Sequence, residues 1–136
     1  MTILILCTGN SCRSQMAQGF LQSLSPNLKV FSAGTHPSQN VHPKAVAVMQ
    51  EIGIDIAHHT PTSITKFLSF DFDYVITVCD DAKDSCPAFS GKTSHRLHIG
   101  FDDPAQFKGT EEETLTKFRT VRDQIVEAFT RFYKNL

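Results

Sequence analysis

A cysteine and an arginine enclose five residues near the start of the chain, in the run Cys7-Thr8-Gly9-Asn10-Ser11-Cys12-Arg13. A loop that leads into a helix can point several backbone N–H groups at an anion, and the helix dipole adds positive charge there. Arg13 supplies a planar fork that binds two oxygens of the anion. The same field stabilises the thiolate of Cys7 as a nucleophile. The run therefore predicts a site that binds a tetrahedral oxyanion and attacks it with Cys7.

The smaller residues of this loop have expected roles of their own. Gly9 is expected to allow close approach of the anion and unusual backbone angles. Ser14 suits the start of a helix and can donate a hydrogen bond to the thiolate. The alternative is a core cysteine at a strand end with an arginine nearby by chance, since a bare Cys-x5-Arg match is common. The position of the run between an apolar strand and a helix favours the functional interpretation.

A carboxylate and a second pair of cysteines are further candidates. Asp103 precedes Pro104 in a loop beyond a predicted strand, where a carboxylic acid can protonate a leaving oxygen. Asp-Asp-Pro is also a common turn composition. Cys79 and Cys86 can supply two electrons by forming a disulfide. A structural disulfide, two unrelated core cysteines and a zinc site are the alternatives. Cys79 and Cys86 lack the close spacing of a zinc-binding pair, and His58 and His59 are adjacent rather than at ligand spacing, so no metal site is predicted.

The spacing of Cys79 and Cys86 has a geometric consequence. If residues 79–86 were helical, the rise between the two cysteines would be about 10.5 Å. A disulfide needs Cα atoms roughly 4.4–6.8 Å apart, so the segment must unwind to form one. Residues 79–86 are therefore predicted to be a redox switch, helical when reduced and looped when oxidised.

The elements that must position these residues alternate between strands and helices. Short apolar runs predict four strands at residues 3–6, 28–32, 74–78 and 96–99. Three helices are predicted. The second covers residues 41–52 and ends at Gly53, and the third begins at Glu111. The first follows the loop and has Met16, Phe20, Leu21 and Leu24 on one side, and the third has an apolar stripe of Leu115, Phe118, Val121, Ile125, Phe129 and Phe132. This order predicts an α/β fold, a parallel sheet with helices on both faces. Cys7, Cys79 and Gly100 each follow a strand, so they should gather at one edge.

Composition limits the other possibilities. A chain of 136 residues fits one domain, residues 1–136. The net charge of −1 provides no broad positive field for nucleic acid or a membrane surface. No apolar run approaches the roughly 20 residues needed to cross a bilayer, and no export signal precedes the first strand. We therefore expect a cytoplasmic protein whose four cysteines are reduced at rest.

Several motifs together resemble a known family. The run from Cys7 to Ser14 with Gln15-Met16-Ala17 resembles the low-molecular-weight protein tyrosine phosphatases, and more closely the arsenate reductases built on their fold. Ser32-Ala33-Gly34, Pro43-Lys44-Ala45 and Phe101-Asp102-Asp103-Pro104-Ala105 also match the reductases. The resemblance implies a three-layer sandwich around a four-stranded parallel sheet, and an enzyme that reduces arsenate to arsenite for arsenic detoxification.

The resemblance also implies a thiol relay. Cys7 attacks arsenic and Asp103, rather than Asp102, protonates the departing oxygen. Cys79 then attacks Cys7, arsenite leaves, and Cys86 attacks Cys79. The resulting Cys79–Cys86 disulfide is reduced by thioredoxin, or by glutaredoxin or glutathione. No bound cofactor is implied, phosphate or sulfate should mimic arsenate, and the protein is expected to be a monomer.

The main alternative is a phosphatase that hydrolyses phosphotyrosine or aryl phosphates, expected at least as a weak side activity. The phosphatases usually have an aromatic residue after the proline, where this chain has Ala105. A non-catalytic anion-binding or redox-sensing module is a third possibility. Cys12 can form a protective disulfide with Cys7, as in some phosphatases, or contribute only its backbone.

Some of the arsenate reductases that this chain resembles use a potassium ion near the loop, held partly by carboxylates. This chain has Gln18 and Thr62 at the matching positions, while Asn10 and Ser32 remain. No potassium site is predicted.

Overall fold

A four-stranded parallel sheet forms the centre of the protein. The computed structural model describes residues 1–80 and 89–136. The strands are β1 (Thr2–Cys7), β2 (Lys29–Gly34), β3 (Asp71–Thr77) and β4 (Lys92–His98), in the spatial order β2-β1-β3-β4. The parallel register pairs Cys7 with Gly34 and Leu6 with Thr77. The predicted fold class, a four-stranded parallel sheet flanked by helices, is confirmed.

The helices follow the strands in the expected order. They are α1 (Arg13–Leu24), α2 (Pro43–Gln50) and α3 (Glu111–Lys134), with short 3₁₀ helices at Ile64–Phe67 and Pro104–Gln106. In the described parts of the chain, none of the helices combines the length and apolar composition that crossing a bilayer requires.

Several element boundaries differ from the predictions; β3, for example, begins at Asp71 and not at residue 74. Two of the differences follow from capping and from edge position. The helix predicted at residues 41–52 begins later, since the side chain of His42 caps it by accepting the N–H of Lys44. It ends in a turn where Gly53 takes a positive φ of 80°. The strand predicted at residues 96–99 begins four residues earlier, at Lys92. Its polar first half lacks an apolar signal because β4 is an edge strand and is largely exposed.

The two faces of the sheet bury different residues. One face packs Ile3, Ile5 and Ile76 against α1 and α3, and the predicted stripe on α3 is buried through Phe118, Val121, Ile125 and Phe129. On the other face, Leu4, Leu6 and Val75 pack with Phe67, Phe72 and Phe89. Each face thus fixes the strands that carry the loop after β1.

The ends of β1, β3 and β4 meet at one edge, as predicted. The N–H of Val78 donates to the carbonyl of Leu6 at 2.9 Å, which places Cys79 beside the end of β1. The N–H of Phe101 donates to the carbonyl of Val78 at 3.2 Å, which draws the loop after β4 to the same place.

An ion cluster joins the end of α2 to α3. Arg119 donates to both carboxylate oxygens of Glu51 at 2.8–3.1 Å, and Arg122 donates to it at 2.7 Å and to the carbonyl of Val48 at 2.9 Å. Hydrogen bonds from Arg119 and then Arg122 lower the pKa of Glu51 from 4.5 to about 2. The carboxylate therefore binds fewer protons in the folded than in the unfolded state between these values.

We expect Glu51→Gln to destabilise the protein in a pH-dependent way. A lowered carboxyl pKa gives stability that is present above pH 4.5 and is lost as the pH falls towards 2. The variant should be less stable at pH 7, and its deficit should shrink as the pH falls below 4.5. Chemical unfolding between pH 3 and 7 measures this. Glu127→Gln, which removes only an exposed pair with Arg131, is the control. If the loss of stability in Glu51→Gln stayed constant with pH, the lowered pKa of Glu51 would be contradicted.

Candidate active site

The predicted loop forms the floor of a cleft at the carboxyl edge of the sheet. Cys7 is the last residue of β1 and Arg13 the first of α1, and both are buried. The cleft has a volume of about 630 Å³ and is lined by every residue from 7 to 13, together with Asp103. The buried strand thus ends at the cysteine, and the helix begins at the arginine, as the sequence predicts.

Within the described residues, two hydrogen bonds reach the sulfur of Cys7. Its Sγ lies 2.9 Å from the hydroxyl oxygen of Ser14 and accepts the backbone N–H of Asn10 at 3.2 Å. The contact predicted between Ser14 and Cys7 is therefore present. Donors of this kind stabilise the charged form of a thiol more than its neutral form.

Asn10, not Gly9, supplies the unusual backbone conformation. Asn10 is fully buried with a φ of 51°, in the left-handed region that asparagine tolerates better than most residues. The expectation for Gly9 was wrong on this point. Gly9 allows the close approach of Ser38, because a Cβ atom at residue 9 would lie 3.1 Å from the Ser38 hydroxyl oxygen.

The side chain of Asn10 organises the loop, which sequence reasoning missed. Its Nδ2 donates to Ser14 at 2.7 Å and to Ser32 at 2.9 Å, while its Oδ1 accepts the N–H of Thr62 at 2.9 Å and the Nε2 of Gln15 at 3.1 Å. The signal available in the sequence was the asparagine itself, since this residue type combines tolerance of positive φ with four hydrogen-bonding sites.

The loop after β4 orients the arginine. Arg13 donates to the carbonyl of Phe101 at 3.1 Å, and its guanidinium lies 3.6 Å from the carboxylate of Asp103. Asp103 also accepts the N–H of Ala105 at 3.0 Å. Asp102 pairs with Lys117 at 3.1 Å and is not among the described residues that line the cleft. Asp103 is thus the aspartate of the pair that lies beside the loop.

The cysteines lie in different environments. Cys7 and Cys12 are free thiols, and burial raises the pKa of Cys12 to about 12. The Cys12 thiol therefore stays protonated at neutral pH and is a poor nucleophile. Cys79 is disulfide-bonded, fully buried and part of the same hydrophobic cluster as Cys7. Cys86 lies outside the described residues, as does most of the predicted switch at residues 79–86.

The mouth of the cleft is polar. It is lined by His36, Ser38, His42, Ala105 and Gln106, and none of the described lining residues is Phe or Tyr. Burial lowers the pKa of His42, whose ring packs on Phe118 with the centroids 4.8 Å apart. The lowered pKa favours the neutral form of His42, and at the loop itself Arg13 and the backbone N–H groups offer positive charge to an anion.

Comparison with known proteins gives the same family as the motifs. The family model for low molecular weight phosphotyrosine protein phosphatase matches residues 2–136. The arsenate reductase of Bacillus licheniformis is 47% identical over 132 residues, covering 96% of this chain and 94% of the relative. That of Bacillus subtilis is 48% identical over 124 residues, covering 90% and 88%. The chain belongs to the arsenate reductases of this family. A solved arsenate reductase in the phosphate binding state superposes with a TM-score of 0.77 at 33% identity, covering 98% of this chain and 97% of that one.

The potassium site used by some arsenate reductases does not fit this chain. The side chains at the position of that site are neutral and already form hydrogen bonds. Ser32 donates to Gln18 at 2.5 Å, and Gln18 donates to the carbonyl of Val30 at 3.2 Å. Thr62 directs its hydroxyl to the carbonyl of Thr60 at 3.0 Å. No buried side-chain N or O in the described residues lacks a hydrogen-bond partner, and none of their His, Cys, Asp and Glu side chains form a group of three or more suited to a metal ion. Oxygen atoms already used in this way, with no carboxylate among them, are poor ligands for a cation.

Proposed function

We propose that this arsenate reductase family member reduces arsenate to arsenite by attack of Cys7 on the oxyanion bound in its loop. The observation that carries the proposal is a free Cys7 that receives hydrogen bonds from Ser14 and Asn10 inside a cleft shared with Arg13 and Asp103. Relatives 47–48% identical over most of their length are arsenate reductases, which supports the choice of arsenate over other tetrahedral anions.

The first step forms a covalent adduct. Arsenate binds between the backbone N–H groups of residues 8–13 and the guanidinium of Arg13. The thiolate of Cys7 attacks arsenic, an S–As bond forms and one As–O bond breaks. Asp103 donates its proton to the departing oxygen, which leaves as water. Arsenic is still As(V) at this stage, because no electrons have yet passed to it.

The second step moves two electrons. The thiolate of Cys79 attacks the sulfur of Cys7, and the electron pair of the S–As bond passes to arsenic, which leaves as As(III) in arsenite. A Cys7–Cys79 disulfide remains, and Cys86 then attacks Cys79 and frees Cys7. The proximity of the ends of β1 and β3, joined by the Val78–Leu6 hydrogen bond of 2.9 Å, supports this transfer. A free Cys7 beside a disulfide-bonded Cys79 is the arrangement that the relay produces at its end.

The cycle needs an external dithiol to reduce the Cys79–Cys86 disulfide. We propose thioredoxin, with glutaredoxin or glutathione as the alternative, and therefore a cytoplasmic site for detoxification, where such reductants keep thiols reduced. One chain suffices as a monomer, since the proposed catalytic residues all belong to it.

Hydrolysis of aryl phosphates is the second candidate activity. The same loop can bind phosphate, and water can cleave a phosphocysteine where a second thiol does not act. None of the described residues that line the mouth, Ala105 among them, offers a phenyl ring to pack against phosphotyrosine, so we expect this activity to be weak.

A coupled assay tests the main proposal. Purified protein with thioredoxin, thioredoxin reductase and NADPH should oxidise NADPH only when arsenate is added, and arsenite should accumulate in equal amount. Phosphate and sulfate should inhibit as competitors. If arsenate caused no NADPH oxidation with either the thioredoxin or the glutaredoxin system, arsenate reduction would be excluded.

A further inference from the structure

A chain of hydrogen bonds runs from the middle of α1 to the sulfur of Cys7. Gln18 accepts the hydroxyl of Ser32 at 2.5 Å, and Ser32 accepts Nδ2 of Asn10 at 2.9 Å. The same Nδ2 donates to Ser14 at 2.7 Å, and Ser14 lies 2.9 Å from Cys7. Three neutral side chains, those of Ser32, Asn10 and Ser14, thus connect Gln18 in the middle of α1 to the proposed nucleophile.

The donor and acceptor roles along this chain are fixed by backbone groups at two points. The carbonyl of Val30 can only accept, so Nε2 of Gln18 faces it and Oε1 of Gln18 faces Ser32. Ser32 must therefore donate to Gln18 and accept from Asn10.

The second fixed point is the N–H of Thr62. It can only donate, so Oδ1 of Asn10 faces it and both hydrogens of Nδ2 face Ser14 and Ser32. Because the Ser14 oxygen accepts from Asn10, its single hydrogen is left to donate to Cys7. The orientation of that hydrogen is what stabilises a thiolate rather than a thiol.

We propose that Gln18 is a positioning residue for the reaction. It acts through Ser32 and Asn10 to keep the Ser14 hydroxyl directed at Cys7, and it makes a monovalent cation unnecessary. The neutral amide supplies both groups that the position needs: an acceptor for Ser32 and a donor for the Val30 carbonyl. If residue 18 carried a carboxylate, one of its oxygens would face the Val30 carbonyl oxygen. A cation between these two oxygens would then be needed to offset their repulsion. This inference rests on the proposed role of Cys7 as the nucleophile.

The test measures the pH dependence of Cys7 alkylation by iodoacetamide, followed by mass mapping of the modified peptide, in potassium, sodium or tetramethylammonium chloride. Gln18→Met loses one hydrogen bond of the network, so alkylation of Cys7 in this variant should be about threefold slower at pH 6. The midpoint of its rate-against-pH curve should rise by about half a pH unit. The wild-type rate should not depend on the cation. The other ionisable groups lining the cleft, Cys12, Arg13, His36, His42 and Asp103, are the same in all variants.

Gln22→Met is the matched control. Gln22 lies one turn further along α1, is also half-buried, and hydrogen-bonds to the backbone of Leu28 and Val30. In the described part of the chain it has no hydrogen bond to Ser32. It should lose stability and keep the wild-type pH profile of Cys7. A purely structural role for Gln18 would make the two variants behave alike.

Gln18→Glu provides a second, independent readout. In tetramethylammonium it should behave like Gln18→Met, and potassium should restore the wild-type profile by bridging the carboxylate and the Val30 carbonyl. A wild-type profile in Gln18→Met, a glutamate variant indifferent to the cation, or a potassium requirement in the wild type would overturn the inference. If wild-type Cys7 instead reacted no faster than a free thiol at neutral pH, the proposed function itself would fail.

Discussion

Replacing Cys79 with serine is expected to stop multiple-turnover reduction of arsenate completely, while hydrolysis of an aryl phosphate persists. The hydrolysis needs only Cys7, Arg13 and Asp103, whereas the reduction needs a second thiol to take the S–As bond electrons to arsenic. The measurement is arsenate-dependent NADPH oxidation beside release of 4-nitrophenol from its phosphate ester. Retained hydrolysis also reports that the variant, altered at a buried position, is folded.

Cys86→Ser is the companion variant for this experiment. Cys79 can still attack Cys7 in this variant, but no Cys86 thiol is present to attack Cys79. Each molecule should therefore release a single arsenite and stop as a Cys7–Cys79 disulfide. Cys79→Ser should release none. Sustained arsenate turnover in Cys79→Ser would disprove the three-thiol relay. It would mean that a different reductant acts on the arsenate bound in the loop.

Replacing Asp103 with asparagine is expected to lower kcat by about 10²- to 10⁴-fold, the usual contribution of a general acid. Asparagine keeps an oxygen for the N–H of Ala105, which Asp103 accepts at 3.0 Å, so the loop should stay in place. It cannot deliver the proton that a departing oxygen needs. The loss should therefore be large for arsenate and for phenyl phosphate, and much smaller for 2,4-dinitrophenyl phosphate, whose leaving group departs without a proton.

The neighbouring aspartate is the control for this variant. Asp102→Asn changes the same charge one residue away, at a side chain paired with Lys117 on the surface. It should leave kcat within about twofold, since exposed ion pairs contribute little. Equal losses in both variants would mean that the charge of the loop, not the acid, matters. No dependence on the leaving group in Asp103→Asn would contradict its role in proton donation.

Local patterns in the sequence determined the main parts of the fold and of the candidate site. The apolar run of β1, the anion-binding run from Cys7 to Arg13, and the apolar stripe of α3 are each encoded by residues close in the chain. Alternation of strands and helices then predicts a parallel sheet, and a parallel sheet brings its strand ends together. This is why the sequence predicts that Cys7 and Cys79 lie at one edge of the sheet.

Tertiary structure alone decided which neighbours these residues have. Asp102 pairs with Lys117 of α3, which is far away in sequence, whereas Asp103 lies 3.6 Å from Arg13. The high pKa of Cys12 comes from its burial, which depends on how the whole edge packs.

The Gln18–Ser32–Asn10 chain depends in the same way on β2 lying against α1. A periodic pattern reports how one segment is buried, because burial repeats along that segment. Hydrogen-bond partners and pKa shifts depend on atoms brought together by several segments, so they follow from the packed structure and not from any single stretch of sequence.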